Sequence, residues 1–253
     1  MHELEHVSLR AYLPVYGASA VKLAGAVCLR APAAPDSPML NRVVGLGLAG
    51  RVAEDVLDRA LAAMGDTSFY VAVSPAADPA LDHLLAARGL EPGWGWMLFE
   101  RGPDPPPEIA TALRIVDVDD TSAERWARIV AAAYGLPDTI LPWFDALPAA
   151  AGWHAFLALD GDEPAAAAAV WIDPPAAYFG MAATLPEHRG KGGQGALFAA
   201  RIGRALDAGC TTLVTETGEL REDRPSASYR NIRRFGFEER FVVAHRLRRR
   251  AAA

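Results

Sequence analysis

The segment best equipped for chemistry is Thr184–Ala196, TLPEHRGKGGQGA, with glycine at 190, 192, 193 and 195 and cations at Arg189 and Lys191. It lies between AAYFGMAATLP, which reads as a strand, and GALFAARIGRALDAG, which reads as a helix. A helix start in this position turns unpaired amides and the positive end of the dipole toward a phosphate or diphosphate, and glycines let the ligand approach the main chain. Gly190, Gly192 and Gly195 also spell the GxGxxG of a dinucleotide-binding unit, with Glu216 ending the next strand. Against that, Pro186 to Arg189 separate the strand from the first glycine. After Glu216 only a short helix and one strand remain, too little for a doubly wound sheet. A second GxGxxG, at Gly45, Gly47 and Gly50, follows LNRVV directly, but no acidic residue ends the next strand, FYVAVS. It reads as a tight strand-to-helix turn rather than a cofactor loop. No GK[ST] occurs, which removes a Walker A loop.

The elements that must position this loop begin after GPDPPPE, Gly102–Glu108, which reads as a stiff connector. The boundaries that follow are an N-terminal domain over 1–105 and a C-terminal domain over 110–253. In the second, LRIVDVDD reads as a strand and SAERWARIVAAAYG as a helix that starts at Ser122 and stops at Gly135. DTILPWFDALPAA reads as another helix, and WHAFLALD and AAAAAVWID as strands, although the alanine run would suit a helix equally by propensity. The glycine-rich loop and its helix follow, then the strand CTTLVTET, the short helix PSASYRNIRRFG and the strand FEERFVVAHRL. The N-terminal half repeats part of this order in degenerate form, and a helix is expected around Ala18 to Ala26.

Arg189 and Gly192 match the acetyl-CoA loop of the GCN5-related N-acetyltransferase (GNAT) superfamily: Arg or Gln, two residues, Gly, one residue, then Gly or Ala. Gln194 stands where Gly or Ala is usual. With the element order and RNIRRFGF before the last strand, the chain resembles that family over about Ala112 to Leu247. The resemblance implies an α/β (α+β) GNAT fold, a mixed, mostly antiparallel sheet with flanking helices, preceded by a smaller degenerate GNAT-like domain. It implies an N-acetyltransferase with acetyl-CoA as cosubstrate and a primary amine of a small molecule, or an exposed amino group, as acceptor. Met181, Ala182, Ala183 and Thr184 would lie along the thioester and pantetheine. Arg189, Gly190, Lys191, Gly192, Gly193, Gln194 and Gly195 would cradle the diphosphate, and Asn231 would contact the pantetheine. Glu216 is the first choice for the base, ahead of His188. The family's tyrosine on the last helix falls here on Ile232, so Tyr229 is the substitute acid. A non-catalytic acyl-CoA-binding module and, more remotely, an NAD-binding oxidoreductase are the alternatives.

A formal charge of −6 over 253 residues argues against a nucleic-acid partner, and the arginine-rich end, RLRRR, reads as a solvated tail. Cys28 and Cys210 are far apart in apolar runs, as for buried thiols with no metal or disulfide. No signal-like start and no run near ~18 apolar residues is present, so a cytoplasmic protein with no membrane partner is expected, with room for a homodimer. Trp143, Phe144, Trp153 and Trp171 read as core or cleft walls, and Asp138, Asp145 and Trp143 would favour a cationic acceptor.

Overall fold

A computed structural model describes residues 2–23, 25–223 and 226–251, arranged in two compact units. Unit one takes Met1–Leu98, Thr217–Arg221 and Phe241–Ala253; unit two takes Phe99–Glu216 and Glu222–Arg240. No helix among the described residues is long and apolar enough to cross a membrane.

Unit one opens with α1 (His2–Tyr16), followed by β1 (Ala20–Leu23) and β2 (Ala26–Leu29). The helix expected around Ala18 to Ala26 is therefore replaced by an antiparallel hairpin, in which Val21 faces Cys28. Helix propensity of the alanines yields here to pairing of β2 with β3 (Arg42–Val44). Pro14, inside α1 near its end, removes one backbone donor. Then come α2 (Glu54–Ala63), β4 (Phe69–Val73), α3 (Leu81–Ala87), β5 (Glu91–Pro92) and β6 (Trp96–Arg101). β3 and β4 run parallel, and β4 pairs antiparallel with the end of β12 (Glu238–Arg248) from Ala244 to Arg248. α2 and α3 supply Leu57, Leu61, Leu81 and Leu85 to a core that also holds Cys28, Val43, Phe69 and Val71.

Unit two is built on β7 (Arg114–Asp117), β8 (Trp153–Asp160), β9 (Glu163–Asp173) and β10 (Ala176–Thr184), paired antiparallel in that order. β11 (Thr212–Gly218) then pairs parallel to β10. The helices are α4 (Ala123–Ala133), α5 (Leu141–Asp145), α6 (Gly193–Asp207) and α7 (Ala227–Arg234). The alanine run settles as strand: Ala165 to Val170 are all fully buried, and both α4 and α6 pack on β9. A strand covered on both faces has no polar alternation, and methyl side chains let helices come close. The Trp126 indole donates to Ala168 O at 3.1 Å, fastening α4 to that strand. Ser122, expected to cap α4, has no cap bond; its hydroxyl is turned to Asp119, whose carboxylate accepts the amides of Thr121 and Ser122 at 3.0 Å each.

Candidate functional site

β10 and β11 pair in register only as far as Phe179 and Thr215, although β10 continues to Thr184 and β11 to Gly218. Where the pairing stops, β10 changes shape. Its register with β9 jumps from Gly180↔Ala169 to Ala183↔Ala167, so Met181 and Ala182 face the single residue Ala168. This is a β-bulge, and Met181 sits in it at φ 53°, a left-handed conformation that costs a non-glycine residue about 1–2 kcal/mol. Bulges and such strained residues gather where a strand must turn its backbone groups toward a ligand. Four expected site residues, Met181 to Thr184, lie on this segment.

Beyond Thr184 a 3-10 turn over Pro186–His188 leads to the glycine loop. Gly190 and Gly192 have φ of 81° and 85°, and Gly192 is the residue preceding α6. Ala196 N donates to Gly192 O, the first α-helical bond. The amides of Gly190, Lys191, Gly192, Gly193, Gln194 and Gly195 find no acceptor among the described residues. Six consecutive donors at the start of a 15-residue helix form a place for an anion, with the dipole aligned to it. Glycine is also demanded by packing: a Cβ on Gly192 would stand 3.1 Å from Thr111 Cβ, and one on Gly193 3.1 Å from Leu113 Cδ1. Thr111 also donates its hydroxyl to Lys191 O at 2.7 Å. The stretch after the proline-rich connector thus buttresses the loop, a role that nothing in its composition signals.

Side chains around the loop are already engaged. Gln194 Nε2 donates to Thr184 Oγ1 at 2.9 Å, so the departure from Gly or Ala here ties α6 to the end of β10. Lys191 Nζ donates to Asp160 Oδ2 at 2.6 Å, and His188 Nδ1 lies 3.2 Å from the same oxygen. The ammonium holds the Asp160 carboxyl below its ordinary range, and the histidine adds to the effect. Lys191 and His188 are therefore partnered across the loop, whereas Arg189 is exposed with no bonded side chain among the described residues.

Glu216, half-buried on β11, accepts the Tyr178 hydroxyl at 2.9 Å. Tyr178 escaped the sequence reading because it looks like any core aromatic. Tyr229 is placed differently from a free acid: it is buried on α7 with its ring edge-on to Phe99 at 4.9 Å. Burial pushes it up to about 12, and a hydrogen bond with Glu239 adds to the rise. Asn231 is half-buried on the same helix, and its carbonyl accepts Phe235 N. The helix ends against Arg101, which donates to Phe235 O at 2.8 Å.

The other glycine loop, in unit one, is bonded within its own unit at several points. Leu48 N donates to Gly45 O, and Gly50 N and Asp78 N donate to Gly47 O. Asp78 then gives its carboxylate to Val52 N at 2.9 Å and Ala80 N at 3.0 Å. A Cβ on Gly47 would stand 2.8 Å from Asp78 N. Glu54 and Asp55 in the first turn of α2, with the Asp78 carboxylate on Val52 N, place negative charge where an anion would have to come.

Comparison with known proteins follows the same division. Residues 123–237 match the model of the acetyltransferase (GNAT) family. No curated protein matches the sequence. Among solved structures, a GCN5-related N-acetyltransferase from Kribbella flavida aligns over 99% of this chain and 95% of its own at a TM-score of 0.67 and 20% identity. One of the same description from Sphaerobacter thermophilus aligns over 97% and 85% at a TM-score of 0.67 and 13% identity. A tandem GNAT protein from the clavulanic acid biosynthesis pathway aligns over 98% and 89% at a TM-score of 0.64 and 17% identity. At these identities the likeness is one of fold, and it runs through both halves.

Proposed function

We propose that this chain, whose residues 123–237 form a domain of the acetyltransferase (GNAT) family, is an acetyl-CoA-dependent N-acetyltransferase acting on a primary amine of a small molecule or on an exposed amino group. One observation carries the reading: six amides without acceptors, 190 to 195, start α6 directly after the bulged end of β10. The amides and Arg189 suit a diphosphate, and the β10 edge beyond Phe179 suits an extended amide-bearing arm that pairs as an added strand. Lys191 lends its charge from its place on Asp160, and Asn231 contacts the arm.

Transfer needs a neutral amine, whose nitrogen forms a bond to the acetyl carbon as the carbon–sulfur bond breaks. Glu216, at the strand end, takes the amine proton, with the Tyr178 hydroxyl fixing the direction of one carboxylate oxygen. Tyr229 is not the acid in this scheme, since its hydroxyl is committed to Glu239. That same commitment favours a second reading, a module that binds acyl-CoA without turning it over.

Heating the purified protein with acetyl-CoA, with NAD and with neither tests the first step, because a ligand of the native state raises Tm by mass action. A rise with acetyl-CoA alone is expected; a rise with NAD alone defeats both acyl-CoA readings. Thiol release on adding a panel of amines then separates enzyme from binding module. The acceptor amine, residence in the cytoplasm, absence of nucleic-acid and membrane partners, and pairing into a homodimer belong to the same proposal.

A further inference from the structure

Unit one carries a cleft of about 500 Å³ at the carboxyl end of α2, lined by Asp58, Leu61, Ala62, Gly65, Arg88 and Arg248. The strand order builds it. β2, β3, β4 and β12 are neighbours in that order, so Arg30, just past the end of β2, and Arg248, the last residue of β12, stand three strands apart, about 14 Å by backbone spacing. Alternation puts both on the face that α2 and α3 cover. Arg30 is two residues from Cys28, whose thiol reaches Ala60 O of α2, and Arg248 Nη2 donates to Arg88 O, at the end of α3, at 2.9 Å. Gly65 joins the two: it shares the cleft with Arg248, and a Cβ on it would stand 3.4 Å from Nη2 of Arg30 and 3.6 Å from its Cζ.

The neighbouring arginines have carboxylates. Arg88 bonds Asp58 at 2.6 Å and Glu54 at 3.0 Å, and its third nitrogen donates to Leu84 O. Arg246 pairs with Asp82, and Arg250 with Asp66. Asp58, the one carboxylate in the lining, is thus spent on Arg88. Arg30 and Arg248 pair with none among the described residues, and Arg30 Nε is buried with no acceptor. The carboxyl ends of α2 and α3 offset part of this charge, but a helix end carries about half a unit, so roughly one positive unit stays uncompensated. Guanidinium nitrogens are fork-shaped, strong donors to an oxyanion, and Leu61 and Ala62 give the same cleft an apolar wall.

We propose that this cleft is a binding site for a small oxyanion, the carboxylate or phosphate of a metabolite, held by Arg248 and Arg30 with its apolar remainder on Leu61 and Ala62. The site belongs to unit one and stands apart from the acetyl-transfer reading, so neither depends on the other.

The full chain, isotopically labelled, is titrated with inorganic phosphate and with acetate against sodium chloride at equal ionic strength, and the amide resonances of Ala62 and Gly65 are followed. Those amides report this cleft, while the glycine amides of the loop before α6 report the other anion site. Phosphate or acetate is expected to shift Ala62 and Gly65 saturably, and chloride to leave them in place; whichever of the two acts at lower concentration names the headgroup. Arg248→Gln and Arg30→Gln should each weaken that binding by about tenfold, the worth of one charge-assisted contact. Arg248→Lys keeps the charge, loses the fork and should fall between. Should Arg30→Gln fail to fold, Arg248→Gln decides alone. Shifts that chloride reproduces, shifts that persist unchanged in Arg248→Gln, or no saturable response to either anion would overturn the site.

Discussion

Gln194 and Thr184 are joined by a hydrogen bond of 2.9 Å that fastens the first turn of α6 to the last residue of β10. The bond fixes the spacing between the strand edge and the amides of the loop, the two parts that a diphosphate-bearing arm would have to meet together. Gln194→Ala and Thr184→Val each remove it. We expect each to weaken acetyl-CoA binding by about three- to tenfold, as befits the loss of one hydrogen bond of about 1 kcal/mol, with little change in Tm. Calorimetric titration reads the affinity. A double variant weaker than either single by a further tenfold would show that the two side chains act separately.

Gly192 and Gly190 share a left-handed backbone but not their surroundings. Gly192→Ala meets both the conformational penalty and the Thr111 side chain at 3.1 Å, whereas Gly190→Ala has nothing within 4 Å. The expected loss of stability is about 1 kcal/mol for Gly190→Ala and about 2 kcal/mol or more for Gly192→Ala. Thermal unfolding of the two variants side by side checks the order.

Glu216→Gln removes the proposed base and keeps the acceptor for the Tyr178 hydroxyl. Turnover with a competent amine should fall by about 10²- to 10⁴-fold while acetyl-CoA affinity holds. Steady-state kinetics alongside titration separates the two quantities. A variant with full turnover would move the base elsewhere, with His188 the next residue to change.

His245, buried in unit one, stacks on Tyr70 at 4.8 Å with its Nδ1 2.7 Å from Trp94 O. A carbonyl only accepts, so Nδ1 carries the proton of the neutral ring. Burial lowers His245 to about 4, and the Arg42 charge acts in the same direction. Because the folded value lies below the unfolded one, the unfolded chain binds the extra proton first. Stability from this group is complete above about pH 6.5 and is lost as pH falls toward 4, by up to about 3 kcal/mol. Denaturant unfolding at a series of pH values reads the slope, and His245→Asn should flatten it in that interval.

The glycine loop was legible because its amides, charges and flanking elements obey local rules that hold at the level of a dozen residues. The order of elements along the second half was legible for the same reason, since apolar runs and turn residues alternate there. The alanine run of β9 was undecidable from propensity and was settled only by α4 and α6 covering both its faces. The hairpin of β1 and β2 was hidden by its alanines. Long-range partners were the largest loss. Thr111 reaches Lys191 across 80 positions, Tyr134 reaches Ala182 across 48, and Tyr178 reaches Glu216 across 38. None of these side chains differs in type or spacing from an ordinary loop or core residue, so only the fold reveals what each one touches.

Asp78 seats a carboxylate in the first half of the chain, a permanent internal anion on the amides of Val52 and Ala80. Duplication of a ligand-binding fold would by itself predict two equivalents of ligand at saturation. With a carboxylate of its own beside one loop and the other loop open, the acetyl-transfer reading predicts a single coenzyme per polypeptide.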